Sequence, residues 1–333
     1  MEAWAFRSAA RRGYNRKQRM VRLGMCVLLV HAALAAGTVF DLAGRIHPEE
    51  RAAVTLFGDT FPFTASTLSE ADGRFRFQKL RPGAYTVSVF MPDRGEARQT
   101  IEVGPSAADA HGRVSLDISF KESDFLLSDA LRRRHSVSTA QLAIPSKAQR
   151  DYEEAHKDLA RHDPDAAARR LMEAVALAPQ FAEAWNELGT MAYQTQQYAR
   201  AEECFREALK QDPRAFEPLV NLGGVLVTVH RADEAWQYNA MAVAMRPNDA
   251  LAHSQLGMNY FQLGDLDLSV KNLERARAID PAHFSHPQLL LAEIYARRGE
   301  RVTAADVLEE FLRYHPDWPQ AARMRENIAG LRK

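Results

Sequence analysis

The 333-residue chain has little of what announces chemistry directly. Two cysteines, Cys26 and Cys204, are too few for a disulfide framework. With 43 basic and 43 acidic side chains the net charge is zero, which argues against binding nucleic acid through bulk charge. No run reaches the roughly 20 clean apolar residues that span a bilayer comfortably. No G-x-S-x-G, H-E-x-x-H, P-loop or dinucleotide glycine pattern occurs, so no catalytic, cofactor-binding or metal-binding residue is predicted. His283 and His286 form an H-x-x-H, but zinc needs three or four ligands and no third accompanies them, so a solvated turn is expected. Asp265 and Asp267 read as the turn between two helices, Gly264 stopping one and Asp265 opening the next. Cys204 falls in a helix on a buried column and reads as a small hydrophobe.

What is present is organisation. Residues 1–37 read as a signal peptide or N-terminal anchor. Arg7, Arg11, Arg12, Arg16, Lys17, Arg19 and Arg22 precede the apolar run LGMCVLLVHAALAA, which ends at a small-residue cleavage pattern, Ala33-Leu34-Ala35. The expectation is an exported protein, periplasmic or secreted, with membrane contact only through an uncleaved leader.

From residue 38 to about 120 the hydrophobic period is two. Phe75 and Phe77 alternate with Arg74 and Arg76, and Tyr85, Val87 and Val89 with Thr86 and Ser88. Further strands are predicted over Val39–Ile46, Ala53–Phe57, Gln99–Val103 and Arg113–Phe120. Asp72-Gly73 supplies a tight turn before the first of the alternating strands, and Pro82-Gly83 predicts a type II turn joining the pair. The stretch ADGRFRFQKLRPGAYTVSV, Ala71 to Val89, resembles the core of carboxypeptidase regulatory-like (transthyretin-like) β-sandwich domains. That resemblance implies an accessory module without catalytic residues, and some relatives of the fold bind carbohydrate. Phe57, Phe61, Phe63 and Phe90 are the aromatics that could stack on a sugar, since Phe75, Phe77 and Tyr85 read as buried. Residues 121–147 read as a linker carrying the basic run Arg132-Arg133-Arg134-His135 and an optional edge strand over Ser136–Ile144.

The second half repeats. Pro179, Pro213, Pro247, Pro281 and Pro316 are spaced by 34, 34, 34 and 35 residues. Three columns of mostly small residues travel with them: Ala155, Gly189, Gly223, Gly257, Ala292; then Ala167, Ala201, Ala235, Ser269, Ala304; then Ala174, Ala208, Ala242, Ala276 and, breaking the column, Phe311. Small residues let paired helices approach closely, and a proline ends the second helix of each pair. With WNELG at Trp185–Gly189, Ala201, Phe205 and Pro213, the segment is identified as a tetratricopeptide repeat array. Five repeats over 148–318 start near Ala148, Ala182, Phe216, Ala250 and Ser285, and 319–333 reads as a capping helix. Asn239, where the pattern has a large apolar residue, and Phe311 are departures.

The fold class expected is therefore multidomain, a small antiparallel β-sandwich followed by an all-α solenoid. The resemblance implies that the first helix of each repeat lines a concave face. The partner-binding groove then holds Asn186, Thr190, Tyr193 and Gln194; Val220, Val227 and Thr228; Ser254, Met258, Phe261 and Gln262; and Glu293 and Arg297. The function expected is a non-enzymatic adaptor for a protein or peptide, the alternative being carbohydrate binding by the sandwich at the cell envelope. Charge divides accordingly, with an excess of six basic groups in residues 1–36 and of six acidic groups in 148–333. A protein partner suits that division better than nucleic acid.

Overall fold

The computed structural model describes residues 39–121, 125 and 143–333. The leader, the basic run at Arg132–His135 and nearly all of Ser136–Ile144 lie outside the described residues. Seven strands come first: β1 (Phe40–His47), β2 (Ala53–Gly58), β3 (Thr64–Leu68), β4 (Arg74–Leu80), β5 (Gly83–Met91), β6 (Gly95–Val103) and β7 (Arg113–Ser119). They form two sheets, ordered β4-β1-β7 and β3-β2-β5-β6. Alternation places Leu42, Ile46, Val54, Leu56, Tyr85, Val87 and Val89 between the sheets, each fully or almost fully buried. The β1–β7 pairing is parallel and every other pairing antiparallel, so the sandwich is not purely antiparallel.

The alternating strands are where they were expected, but they do not make a hairpin. β4 pairs with β1, whereas β5 pairs with β2 and β6, so the Arg81–Pro82 link crosses from one sheet to the other. Gly83 has φ 152°, not the value near +80° of a type II turn. The crossing is pinned by the Tyr85 hydroxyl, which donates to the Arg81 carbonyl at 2.8 Å. The glycine before the first strand behaves as expected, with φ 77° at Gly73. β3 was not anticipated, because its Thr64, Ser66 and Leu68 alternate with small residues rather than large apolar ones.

Eleven helices follow among the described residues: α1 (Ser146–Ala160), α2 (Pro164–Leu177), α3 (Ala182–Gln194), α4 (Tyr198–Gln211), α5 (Phe216–Thr228), α6 (Ala232–Met245), α7 (Ala250–Leu263), α8 (Leu266–Ile279), α9 (Pro287–Arg297), α10 (Arg301–Tyr314) and α11 (Ala321–Leu331). They pair as five hairpins plus a last helix. Every member of the three repeated columns is buried. The physical reason is closest approach: a Cβ at Gly189 would lie 2.5 Å from the Phe205 ring, and one at Gly257 would lie 2.7 Å from Leu273 Cγ. Asp163, Asp249 and Asp265 cap α2, α7 and α8 by accepting the N–H groups of Ala166, Ala252 and Leu268. Gly264 closes α7 in the left-handed conformation, as the Gly264-Asp265 pair suggested.

A further column has no sequence signature. His162, Gln196, His230, Gly264 and Gly299 stand at equivalent places in the five hairpins, and all have φ between 59° and 87°. Two of them are histidines in a conformation that favours glycine. The H-x-x-H turn is also not solvated. His283 is 6% exposed, and the His286 ring lies 5.3 Å from Phe311, 4.6 Å from His315 and 5.1 Å from Trp318. Phe311 breaks its small column because these rings, with Trp318 just before the last helix, fill that end of the solenoid.

Candidate functional site

The sandwich and the solenoid belong to one unit, Thr38–Lys333, and they meet through polar groups. In the larger sheet the outward face carries Thr86 and Ser88 on β5 and Glu96, Arg98, Thr100 and Glu102 on β6. That face would meet water in an isolated sandwich, yet Thr100 is only 2% exposed. Its N–H donates to Asp280 Oδ2 at 2.9 Å, in the turn after α8. Glu102 Oε1 lies 2.9 Å from His315 Nδ1, after α10. The N–H of Ser106 donates to Asp317 Oδ2 at 3.0 Å, and Arg98 Nη2 reaches Glu217 Oε1 at 3.4 Å. At the other end, the Phe63 and His162 rings stack at 4.9 Å, and His162 Nε2 lies 3.3 Å from the Lys79 carbonyl.

Burial sets the electrostatics of this boundary. It pushes the Asp59 carboxyl well above its usual range against the Thr86 hydroxyl bond, with Asp280 and Glu102 adding like charge. Burial alone lowers the Arg98 guanidinium pKa, but Glu96 and Glu217 outweigh it and hold the charge more firmly. Asp59 Oδ2, Thr100 Oγ1, His162 Nδ1 and His315 Nε2 are buried without a hydrogen-bond partner.

The groove residues separate into three groups. Gln194 is taken by the sandwich, its amide donating to the Gly58 carbonyl at 2.9 Å. Val220 and Val227 are core, 2% and 4% exposed, and Ser254 is buried under the Ser285 hydroxyl at 2.7 Å. The third group forms a chain along the first helices of consecutive repeats. Asn186 Oδ1 accepts from Asn221 Nδ2 at 3.1 Å, and Thr190 bonds back to the Asn186 carbonyl. The Tyr193 hydroxyl meets Thr228 Oγ1 at 3.2 Å, and Gln262 Nε2 donates to the Val227 carbonyl at 2.9 Å. Met258 and Phe261 are half-buried, Arg297 lies over the Phe261 ring at 5.0 Å, and Glu293 pairs with Arg297. Burial raises the Tyr193 hydroxyl pKa, despite the Thr228 bond. Tyr193 keeps 36% exposure and Gln262 is exposed, so this part of the strip meets solvent.

Sequence reasoning missed the boundary residues Arg98, Thr100, Glu102, Glu217, Asp280 and Asp317. A polar alternate face normally marks solvent, and an aspartate beside the repeat proline normally marks a turn. The sandwich aromatics offer little stacking surface. Phe63 is 5% exposed, and Phe57, Phe61 and Phe90 are half-buried, Phe61 packing on Tyr85 at 5.3 Å. Among the described residues no group of three or more His, Cys, Asp and Glu side chains is arranged to hold a metal, and no helix is long and apolar enough to cross a membrane.

A two-sheet sandwich leading into stacked helical hairpins defines a modular, solenoid-bearing protein. Its two parts have known families. Residues 36–117 match the carboxypeptidase regulatory-like domain, and residues 150–315 match the middle TPR-like domain of cilia and flagella-associated protein 70. The chain is thus a tetratricopeptide-type repeat protein with a carboxypeptidase regulatory-like domain in front, both being non-catalytic kinds of domain. Repeat arrays of this type commonly mediate protein–protein interaction. Among curated proteins, a BBSome complex member BBS4 homolog from Drosophila melanogaster is 25% identical over 119 residues, which is 36% of this chain and 24% of that protein. The chain therefore matches about a quarter of that relative's length. Among solved structures, MamA from Desulfovibrio magneticus RS-1 (residue 41 to the end) has 24% identity and TM-score 0.47, covering 53% of this chain and 99% of that one. A thermophilic TPR protein of Thermus thermophilus, TTC0263, has 21% identity and TM-score 0.44, covering 55% and 98%.

Proposed function

We propose that the protein is an exported, non-enzymatic adaptor that binds a protein or peptide partner through the first-helix face of its repeats. The observation that carries this is the strip from Tyr193 and Thr228 through Gln262 to Phe261 and Arg297. It keeps Tyr193 and Gln262 accessible and Phe261 half-buried on a line that runs over the first helices of four consecutive repeats. Half-buried aromatics flanked by amides suit an extended segment, with rings supplying contact area and amides pairing its main chain. The basic, then apolar, then small-residue order of residues 1–37 supports the export half of this reading, in which the partner is periplasmic or outside the cell.

Crosslinking of the full chain in envelope fractions, read by mass spectrometry, tests both halves of the reading. Tyr193→Ala/Phe261→Ala is expected to remove crosslinked partners that the wild type retains. An unchanged partner set would reject the strip. N-terminal sequencing of the protein recovered from the cell is expected to start near residue 36, and recovery of the intact start in a cytosolic fraction would reject export.

A further inference from the structure

The solenoid grips one strand of its own sandwich in sequence order. Arg98, held at 2.7 Å by Glu96 of its own strand, also reaches Glu217 at the start of α5 at 3.4 Å, where Glu217 takes Arg246 at 2.9 Å as well. The N–H of Thr100 on the free edge of β6 donates to Asp280 after α8. Glu102 meets His315 after α10, and Ser106 gives both its N–H and its hydroxyl to Asp317. Ascending strand residues thus meet ascending repeats. The acceptors on the helical side are carboxylates, Glu217, Asp280 and Asp317. What they accept is a guanidinium, two main-chain N–H groups and a hydroxyl. Main-chain N–H groups are common to any extended chain, so the arginine is the side-chain signature. Gly104 allows the close approach, because a Cβ there would lie 2.7 Å from Asp317 Oδ2.

The boundary is mostly polar, its one ring contact among the described residues being the stack of Phe63 on His162. The buried apolar cluster of the sandwich contains no solenoid residue. Four polar atoms at the boundary, Asp59 Oδ2, Thr100 Oγ1, His162 Nδ1 and His315 Nε2, are buried and unpaired, and each regains a partner in water when the surfaces separate. Polar surfaces with unpaired groups exchange partners more readily than apolar cores do.

We propose that the rim formed by Glu217, Asp280 and Asp317 is a binding site for an extended, arginine-bearing segment of a partner protein, with β6 as its occupant in cis until such a segment displaces it. The proposal rests on reading the chain as a protein-binding adaptor, and its test needs no natural partner. The probe is a fluorescein-labelled peptide of residues 95–107, GEARQTIEVGPSA, titrated against the full chain. Arg98→Glu in the chain sets a carboxylate against Glu217 and leaves the rim intact, so the peptide is expected to bind that variant about tenfold tighter than wild type. Adding Asp280→Ala/Asp317→Ala to the same chain is expected to cancel that gain, again about tenfold.

A second measurement covers the case in which Arg98→Glu disturbs the sandwich itself. Thr100→Cys keeps the N–H and removes an unpaired hydroxyl. Alkylation of the introduced thiol, followed by peptide mass spectrometry, is expected to accelerate with excess unlabelled peptide, and not with the same peptide carrying Arg98→Glu. The proposal is overturned if peptide affinity ignores Asp280 and Asp317, or if the introduced thiol alkylates without peptide as fast as one placed by Gln262→Cys. Failure here with partner loss in Tyr193→Ala/Phe261→Ala would sink the rim and spare the strip; the opposite pair of results would do the reverse.

Discussion

Replacing Asn239 by leucine is expected to stabilise the solenoid, and the reason lies in one inter-helix contact repeated along the array. Asn239 is fully buried on α6, directly over Gly223 of α5, where a Cβ would fall 1.9 Å from its Oδ1. Neither Oδ1 nor Nδ2 has a hydrogen-bond partner. One repeat later the same place is filled by Leu273 over Gly257, at 2.7 Å from a Cβ to Cγ, so the geometry accepts a leucine. An unpaired buried polar group costs about 1–3 kcal/mol, and a leucine adds apolar burial while paying up to about 1–3 kcal/mol if the pocket is tight. The net gain is about 2 kcal/mol, since two unpaired atoms are removed against one packing penalty. Urea unfolding followed by far-ultraviolet circular dichroism would read it as a higher midpoint at unchanged slope. Asn239→Ala removes the same amide but leaves a void, so it should gain little or lose slightly. If Asn239→Leu lowers stability by about 1 kcal/mol, the amide is paired and the reasoning fails.

Other perturbations follow from single groups. His230→Gly should stabilise by about 0.5–1 kcal/mol, because His230 is exposed and holds φ 61° where glycine relieves the strain; an unchanged midpoint would mean the histidine is not strained there. His286, driven down to about 3 by burial among Phe311, His315 and Trp318, is neutral in the fold and protonates in the unfolded chain below about 6.5. A depressed histidine pKa leaves stability intact above the unfolded value and drains it as pH falls, so lowering pH from 7.5 to 5 should cost about 1–2 kcal/mol from this residue. His286→Asn, which tolerates the left-handed φ of 52°, should flatten that part of the pH profile, and an equally steep profile would refute the assignment. Cys204, 4% exposed and pushed up to about 11 by burial, should resist iodoacetamide at neutral pH until urea unfolds the repeats; rapid alkylation of the native protein would show that the column is open.

Legibility followed the strength of each physical constraint. Pro179 through Pro316 and the columns headed by Ala155, Ala167 and Ala174 could be read, because helix crossing distance permits only small side chains there and the same crossing recurs. The column His162, Gln196, His230, Gly264, Gly299 could not. A left-handed residue announces itself only when it is glycine, and three of the five accept the strain instead. In the sandwich, alternation found the core faces of β4 and β5, but alternation is blind to which strands pair. Phe77 and Tyr85 are eight residues apart and look like one hairpin, yet their strands lie in opposite sheets. The site divided the same way. The repeat register put Tyr193, Phe261, Gln262 and Gln194 on the first helices alike, but nothing local in the sequence tells an accessible amide from one bonded, as Gln194 is, to the carbonyl of Gly58.

The acidic excess of the solenoid takes on a structural meaning at the boundary between the two parts. Three of the solenoid's carboxylates, Glu217, Asp280 and Asp317, are used there, and a fourth, Glu102, comes from the sandwich side to meet His315. An apolar boundary of the same extent would fuse the two cores and make their separation costly. Here the sandwich core closes on itself through Leu42, Val54, Tyr85 and Val89, and the repeats close through their small columns, so each part holds its own apolar surface whether or not they touch. Apart from the Phe63–His162 ring stack, what joins them is hydrogen bonds and ion pairs between groups that water also satisfies, and such bonds contribute little net free energy. On the proposed reading, this contact orients the sandwich along the repeats and yields to a competing segment. That is the property an adaptor needs if its recognition surface is covered when no partner is present.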